Sequence, residues 1–444
     1  MHNLHIIDIC IIAGYLIICL AAGLLQINKV GNIREYAVGT GKISTPLLVS
    51  TIFATYMGAG SLIGSVEKIY SLGLLFIVAI LFEPVLWVVT SKLFANYIGA
   101  FKKKGCITIS DIMEVLYGKP GKWITNVLAI IMAVGVLAAQ ITAIGYLFNY
   151  FLGTSKEIGI LIGFGVVVAY STLGGIRAVI VTDFFQSLIL FVAIPAAALI
   201  AYYKMGGYDV LATKLPASFL SIDLSKGNLL LLGSLAIHAM IPNSAATFVQ
   251  RFLIADSSTQ LRQSLNFTAI IMVPFLLMIS LIGLIVRADE SITDPSTGLF
   301  QLINSNLSVG VIGFVIVGIL ATIMSSADSY LNTASVIVAH DMYKSIYPNS
   351  TAKKELLVAR GANLLISGMA AFLSLNITDL MEMLWITDNF WDPIVLIPFI
   401  AGLMAFKASK RSFVYSITAA TLLTIATAYI RGEFDTVSLI RLAC

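Results

Sequence analysis

Gly318-Ile319-Leu320-Ala321-Thr322-Ile323-Met324-Ser325-Ser326-Ala327-Asp328-Ser329 sets hydroxyls and a carboxylate inside an otherwise apolar run. The flanking sequence is long and apolar enough to predict a membrane helix. Hydrocarbon penalises such groups, so a membrane helix that carries them holds something. At about 100° per residue, Thr322, Ser325, Asp328, Ser329 and Asn332 share one face, with Ser326 at its margin. Hard oxygen donors along one face suit a hard cation or a polar solute.

The rest of the chain agrees with that reading. Of 444 residues, 59% are hydrophobic and 11% charged, with a mean hydropathy of +0.96. A soluble domain carries about 25% charged residues. The composition therefore predicts an all-α, polytopic membrane protein whose natural partner is the lipid bilayer. The net charge of +4 is small. No basic cluster is large enough for nucleic acid, and Lys102-Lys103-Lys104 reads as a topology signal. The four cysteines, Cys10, Cys19, Cys106 and Cys444, show no metal-ligand spacing. The N-terminus lacks a basic leader region, and its apolar run from Leu4 to Ile27 is long enough to span rather than be cleaved.

Hydropathy predicts about twelve spans: 4–27, 45–70, 72–98, 121–151, 157–173, 177–203, 228–250, 263–287, 307–340, 356–376, 380–406 and 411–430. No soluble domain interrupts them, so residues 1–444 read as a single transmembrane domain. The 27 Lys and Arg divide between the two sides nineteen to eight. The poorer side includes Arg431 and Arg441, the richer side Lys29 and Lys407. The richer side is expected to be cytoplasmic, which puts both termini outside a plasma (inner) membrane.

With the flanking spans 4–27 and 411–430 set aside, ten remain. They split into sets of five, 45–203 and 228–406. An odd number per set gives the halves opposite orientation, the pattern of inverted-repeat transporters. Each half opens with an interrupted helix, at Gly58-Ala59-Gly60 and at Pro242-Asn243. Glycine and proline weaken or remove backbone hydrogen bonds. Carbonyls freed at mid-membrane depth can ligate a cation where protein or water surrounds them.

Four motifs carry a family resemblance. Ser171-Thr172-Leu173-Gly174-Gly175-Ile176-Arg177-Ala178-Val179-Ile180-Val181-Thr182-Asp183-Phe184-Phe185-Gln186 resembles the signature of the sodium/solute symporter family. Met324 to Ser329, with His340-Asp341-Met342-Tyr343-Lys344 downstream, resembles its eighth core helix. Ala54-Thr55-Tyr56-Met57-Gly58-Ala59-Gly60-Ser61-Leu62-Ile63-Gly64 is similar to its first core helix, and Gln250-Arg251 fits the end of the sixth. The resemblance covers residues 45 to 410. It implies a five-plus-five inverted repeat of the LeuT type with flanking helices, and sodium as the coupling ion. It implies a first sodium site at Ala54, Met57, Thr322, Ser325 and Ser326. Five neutral oxygens bind a monovalent ion tightly enough to couple and weakly enough to release. It also implies a second sodium or proton site at Asp183, Ser325, Asp328 and Ser329.

The solute is expected beside the two helix breaks, where half-helix ends offer unpaired groups. Tyr56, Ser61, Gln140, Asn243, Ser244 and Trp385 are the candidates, and the solute is a small polar molecule: an amino acid, a carboxylate or a quaternary amine. The Met324–Ser329 and Leu384-Trp385 segments are closest to the choline and proline branches of that family. No obligate protein partner is evident. An intramembrane protease is excluded because neither Asp183 nor Asp328 sits in a Tyr-Asp or Gly-x-Gly-Asp motif. The expected function is alternating-access symport of sodium and solute. The alternatives are a proton-coupled carrier of the same fold and a non-transporting solute sensor.

Overall fold

The computed structural model describes residues 4–26, 30–39, 42–216, 219, 221, 225–376, 380–404 and 409–430. Lys29, Lys407, Arg431, Arg441 and Cys444 lie outside them, as does the side chain of Asn389.

The chain begins with α1 (Ile6–Leu24), pinned at its start by the buried Asp8. The Asp8 carboxylate accepts from the backbone N–H groups of Gly310 (2.8 Å) and Gly313 (2.7 Å). Those are orphan donors at a helix start, where negative charge is favoured. A short α2 (Ile33–Val38) is capped by Asn32 and ends at Gly39. The next span is broken, as the glycines predicted. It comprises α3 (Thr45–Tyr56), a π turn over Gly60–Gly64 and α4 (Ser65–Leu72), and the two arms meet at a 63° bend.

Then follow α5 (Leu74–Ile80), α6 (Glu83–Lys103), α7 (Ile109–Tyr117) and α8 (Lys119–Leu152). The expected spans 157–173 and 177–203 appear as one long α9 (Lys156–Met205), bent at Gly175 with φ +57°. A β-carbon there would sit 3.0 Å from the Tyr36 carbonyl oxygen, so both the close packing of α2 and the backbone angle call for glycine.

The second half runs through α10 (Gly207–Lys214), α11 (Lys226–Met240), α12 (Ala246–Ile254), α13 (Ser258–Ala288) and α14 (Gly298–Asn306). The expected span 228–250 is two half-helices, α11 and α12, separated by an extended stretch around Pro242-Asn243. Next comes α15 (Val311–Val336), which continues through a π turn (Ile337–Tyr343) into α16 (Lys344–Ile346). The chain closes with α17 (Ala352–Ser374), α18 (Leu380–Trp391), α19 (Ile397–Leu403) and α20 (Lys410–Ile430). Short α7, α10 and α14 lie in loops that hydropathy left blank.

Seven helices among the described residues are long and apolar enough to cross a membrane, eight with the bent α3–α4 pair. In its most apolar window, 89% of the residues of α15 with its extension are buried, against 33% for α1. So α15 is the central post, packed most extensively on α9 and also on α8, α17 and α3. Large apolar side chains such as Leu161, Phe372 and Leu423 face outward, as lipid requires. Cys10, Cys19 and Cys106 are free thiols.

Candidate functional site

The break after α3 creates unpaired backbone groups, and the surrounding side chains meet them. Met57 ends α3 with φ −75° and ψ 86°, its N–H still bonded to Phe53. The Ala59 N–H has left the helical ladder and donates to Gln140 Oε1 at 2.8 Å. Gln140, from α8, is thus a cap for broken backbone as well as a wall residue. Ser61 Oγ donates to the Tyr56 carbonyl (3.2 Å), across the same break.

α15 crosses α3 here. Ser325 Oγ donates to the Ala54 carbonyl at 2.8 Å and lies 3.1 Å from the Thr322 carbonyl. Ser326 Oγ donates to the Thr55 carbonyl at 2.9 Å. Thr322 turns its own hydroxyl back to Gly318, which leaves its carbonyl as the group facing Ser325. Ala54, Met57, Thr322, Ser325 and Ser326 are all buried. The oxygens of Ala54, Thr322 and Ser325 therefore meet between two helices 271 residues apart in sequence. Thr55, which the sequence reading passed over, supplies the carbonyl opposite Ser326.

Asp183, Asp328 and Ser329 also come together, but around a group that the sequence reading treated only as a motif residue. Arg251, on α12, is fully buried. Its guanidinium donates to Thr51 Oγ1 (3.2 Å), the Thr247 carbonyl (3.0 Å) and Ser329 Oγ, and stands 3.7 Å from Asp183 Oδ2. Thr51 donates to the same Asp183 oxygen at 2.5 Å. Asp328 accepts from the Tyr170 hydroxyl at 2.5 Å and from Ser329 at 3.2 Å. Arg251 thus pairs with Asp183 directly and reaches Asp328 only through the Ser329 hydroxyl. Neither Arg251 nor Tyr170 is adjacent in sequence to an aspartate it serves, so spacing alone gave no signal.

The second break is held as firmly. Asn243 N–H donates to Thr90 Oγ1 (3.2 Å), Asn243 Oδ1 accepts from Ala245 N–H (3.1 Å), and Trp391 Nε1 donates to Ser244 Oγ (3.1 Å). Between the two breaks lies a cavity of about 210 Å3. Tyr56, Ser61, Gln140, Asn243, Ser244 and Trp385 all line it, and Ser326 reaches its wall. Glu83, His238, Asp388 and Asp392 line it too. Glu83 lies inside the expected span 72–98 and belongs to none of the quoted motifs.

A third polar cluster joins the short loop helix to the end of the central post. Asp111, His340 and Asp341 bring ligand-type atoms within 4.8 Å of one another. Lys122 already supplies positive charge there, 3.2 Å from Asp111, 2.8 Å from Glu114 and 3.6 Å from Asp341. This is a salt-bridged latch between α7, α8 and the π turn after α15.

The family model for the sodium:solute symporter family matches residues 36–411. The chain belongs to that family. It is 26% identical over 374 residues to the high-affinity proline transporter PutP of Bacillus subtilis (strain 168), covering 80% of this chain and 78% of that one. It is 23% identical over 371 residues to the sodium/pantothenate symporter of Haemophilus influenzae, covering 79% and 74%. Among solved structures, a substrate-bound outward-open Na+-coupled sialic acid symporter superposes with a TM-score of 0.82 at 17% identity, covering 98% of this chain and 95% of that one. MhsT in complex with L-phenylalanine matches at 0.52 and 14%, covering 87% and 99%. The fold is an all-α membrane fold of the LeuT type. This family member is an integral membrane protein that couples sodium to the uptake of a small polar solute.

Proposed function

We propose that sodium is held where α15 crosses the end of α3, by the carbonyls of Ala54, Met57 and Thr322 and the hydroxyls of Ser325 and Ser326. The observation that carries this is the Ser325–Ala54 contact beside the Ser326–Thr55 contact. Each hydroxyl is within reach of a carbonyl from the other helix, and a cation could replace both hydrogen bonds with oxygen–ion contacts. A bound ion would then tie α3 to α15 and complete the wall that Tyr56, Ser61, Gln140, Asn243, Ser244 and Trp385 present to the solute. Coupling follows because ion and solute favour one arrangement of the same helices, and it is reciprocal.

Asp183, Asp328 and Ser329 hold a second cation, sodium or proton. Arg251 compensates one of the two carboxylates, and the second cation compensates the other. Residues 45–203 and 228–406 act as the two inverted repeats of a twelve-span chain, flanked by 4–27 and 411–430. The excess of Lys and Arg on one side supports an inner-membrane orientation with both termini outside. We read the protein as a carrier, not an enzyme, that works without an obligate protein partner.

The test is the thermal midpoint of the purified protein in NaCl against equal KCl. Sodium should raise the midpoint by mass action, with saturation. Equal midpoints in the two salts at all concentrations would overturn the sodium reading.

A further inference from the structure

The cavity between the helix breaks has a one-sided charge. Three carboxylates, Glu83, Asp388 and Asp392, are among its lining residues. No lysine or arginine is among the described lining residues, and His238 is the one basic side chain among them. Glu83 Oε2 is buried with no hydrogen-bond partner. Asp388 and Asp392 are one helical turn apart, so their carboxylates stand as neighbours. All three residues are half-buried; carboxylates gathered in one cavity without a basic partner are costly, and a bound cation relieves that cost.

The apolar part of the wall suits the same guest. Tyr56 and Phe248 line the cavity with ring centroids 6.3 Å apart, and Trp87 backs Tyr56 edge-on from outside the lining at 5.3 Å. Trp385 and Trp391 face the cavity as well. Aromatic faces attract ammonium groups. One such contact already exists, where the Lys68 ammonium sits 5.4 Å from the Trp385 ring centroid. Lys68 is not itself part of the cavity lining.

We infer that the transported solute is a small organic cation, an amine or quaternary ammonium that carries no compensating carboxylate. The inference rests on the carrier reading above. A solute with a free carboxylate would set a further carboxylate against Glu83, Asp388 and Asp392. None of the described lining side chains offers it a guanidinium or ammonium partner. A net cation neutralises the acidic wall through its nitrogen and packs its methylene or methyl groups on the aromatic rings.

Matched pairs test the class directly. The purified protein is melted with choline or glycine betaine, putrescine or ornithine, and pyrrolidine or proline, each with NaCl and with KCl. The cation of at least one pair should raise the midpoint beyond sodium alone, its carboxylate-bearing counterpart should not, and radiolabelled uptake into proteoliposomes should follow the same order. Asp388→Asn and Glu83→Gln should weaken the responding amine by about tenfold or more, while the shift given by sodium alone persists. The wild-type panel stands by itself should either variant fail to fold. Stabilisation by the carboxylate-bearing members, or by no member while sodium still stabilises, overturns the inference and leaves the carrier reading standing. Absence of any sodium shift overturns the carrier reading itself.

Discussion

Ser325 Oγ lies 2.8 Å from the carbonyl oxygen of Ala54, so the central post of the bundle is tied to the last turn of a helix that breaks two residues later. The break and the tie belong together. A continuous α3 would spend its carbonyls on its own ladder and have none for a guest. The break holds open only because other helices satisfy what it frees, as Gln140 does for Ala59.

Gly58 sits where that arrangement is tightest. A β-carbon there would fall 2.7 Å from Gln140 Nε2 and 2.9 Å from Ser326 Oγ. Gly58→Ala should therefore displace the two side chains that frame the break. We expect sodium-stimulated uptake to drop by about tenfold or more, with helical content by circular dichroism unchanged. Wild-type uptake in Gly58→Ala would show that the close approach is dispensable.

Arg251 and Asp183 are both fully buried, 3.7 Å apart. Arg251→Met leaves the carboxylate without its countercharge and should cost about 3–5 kcal/mol of stability. Adding Asp183→Asn removes the orphaned charge and should recover at least half of that loss. A double-mutant cycle on thermal midpoints measures the coupling. Strictly additive losses would mean that the pair is not an energetic unit.

The latch around Lys122 makes the fold sensitive to acid. Burial pushes the Asp111 carboxyl up, but its hydrogen bond and charge contact with His340, the Ile107 N–H and Lys122 together hold it well below its ordinary value of 3.8. Folding thus favours the ionised form. The stability this supplies is complete above the ordinary value and is lost as pH falls below it. The midpoint of the wild type should fall more steeply than that of Asp111→Asn between about pH 4 and pH 2. Parallel curves would remove Asp111 from the account.

Much of this was legible in the residues. Gly58-Ala59-Gly60 and Pro242-Asn243 announced both breaks, because glycine and proline act locally on the backbone. The hydroxyl face of α15 was legible because helical periodicity is local too. The six solute candidates do meet in one cavity. What the sequence hid is long-range. Arg251 reads as a basic residue at a helix end, and only the fold carries it between Thr51 and Ser329. Arg177 is near Asp183 in sequence, but Asp183 meets Thr51 and Arg251, which come from α3 and α12. Asp8, in the first span, gave no hint that it would cap the start of α15 about 300 residues later. Short α7 and α14 escaped because loop helices carry little hydropathy signal.

Equilibrium binding of radioactive sodium to purified protein tests the central claim most directly. The wild type should bind sodium saturably. The Ser325→Ala/Ser326→Ala double variant, folded to the same circular dichroism spectrum, should lose binding at the site where α15 crosses α3. Sodium binding of unchanged affinity and stoichiometry in that variant would contradict the account.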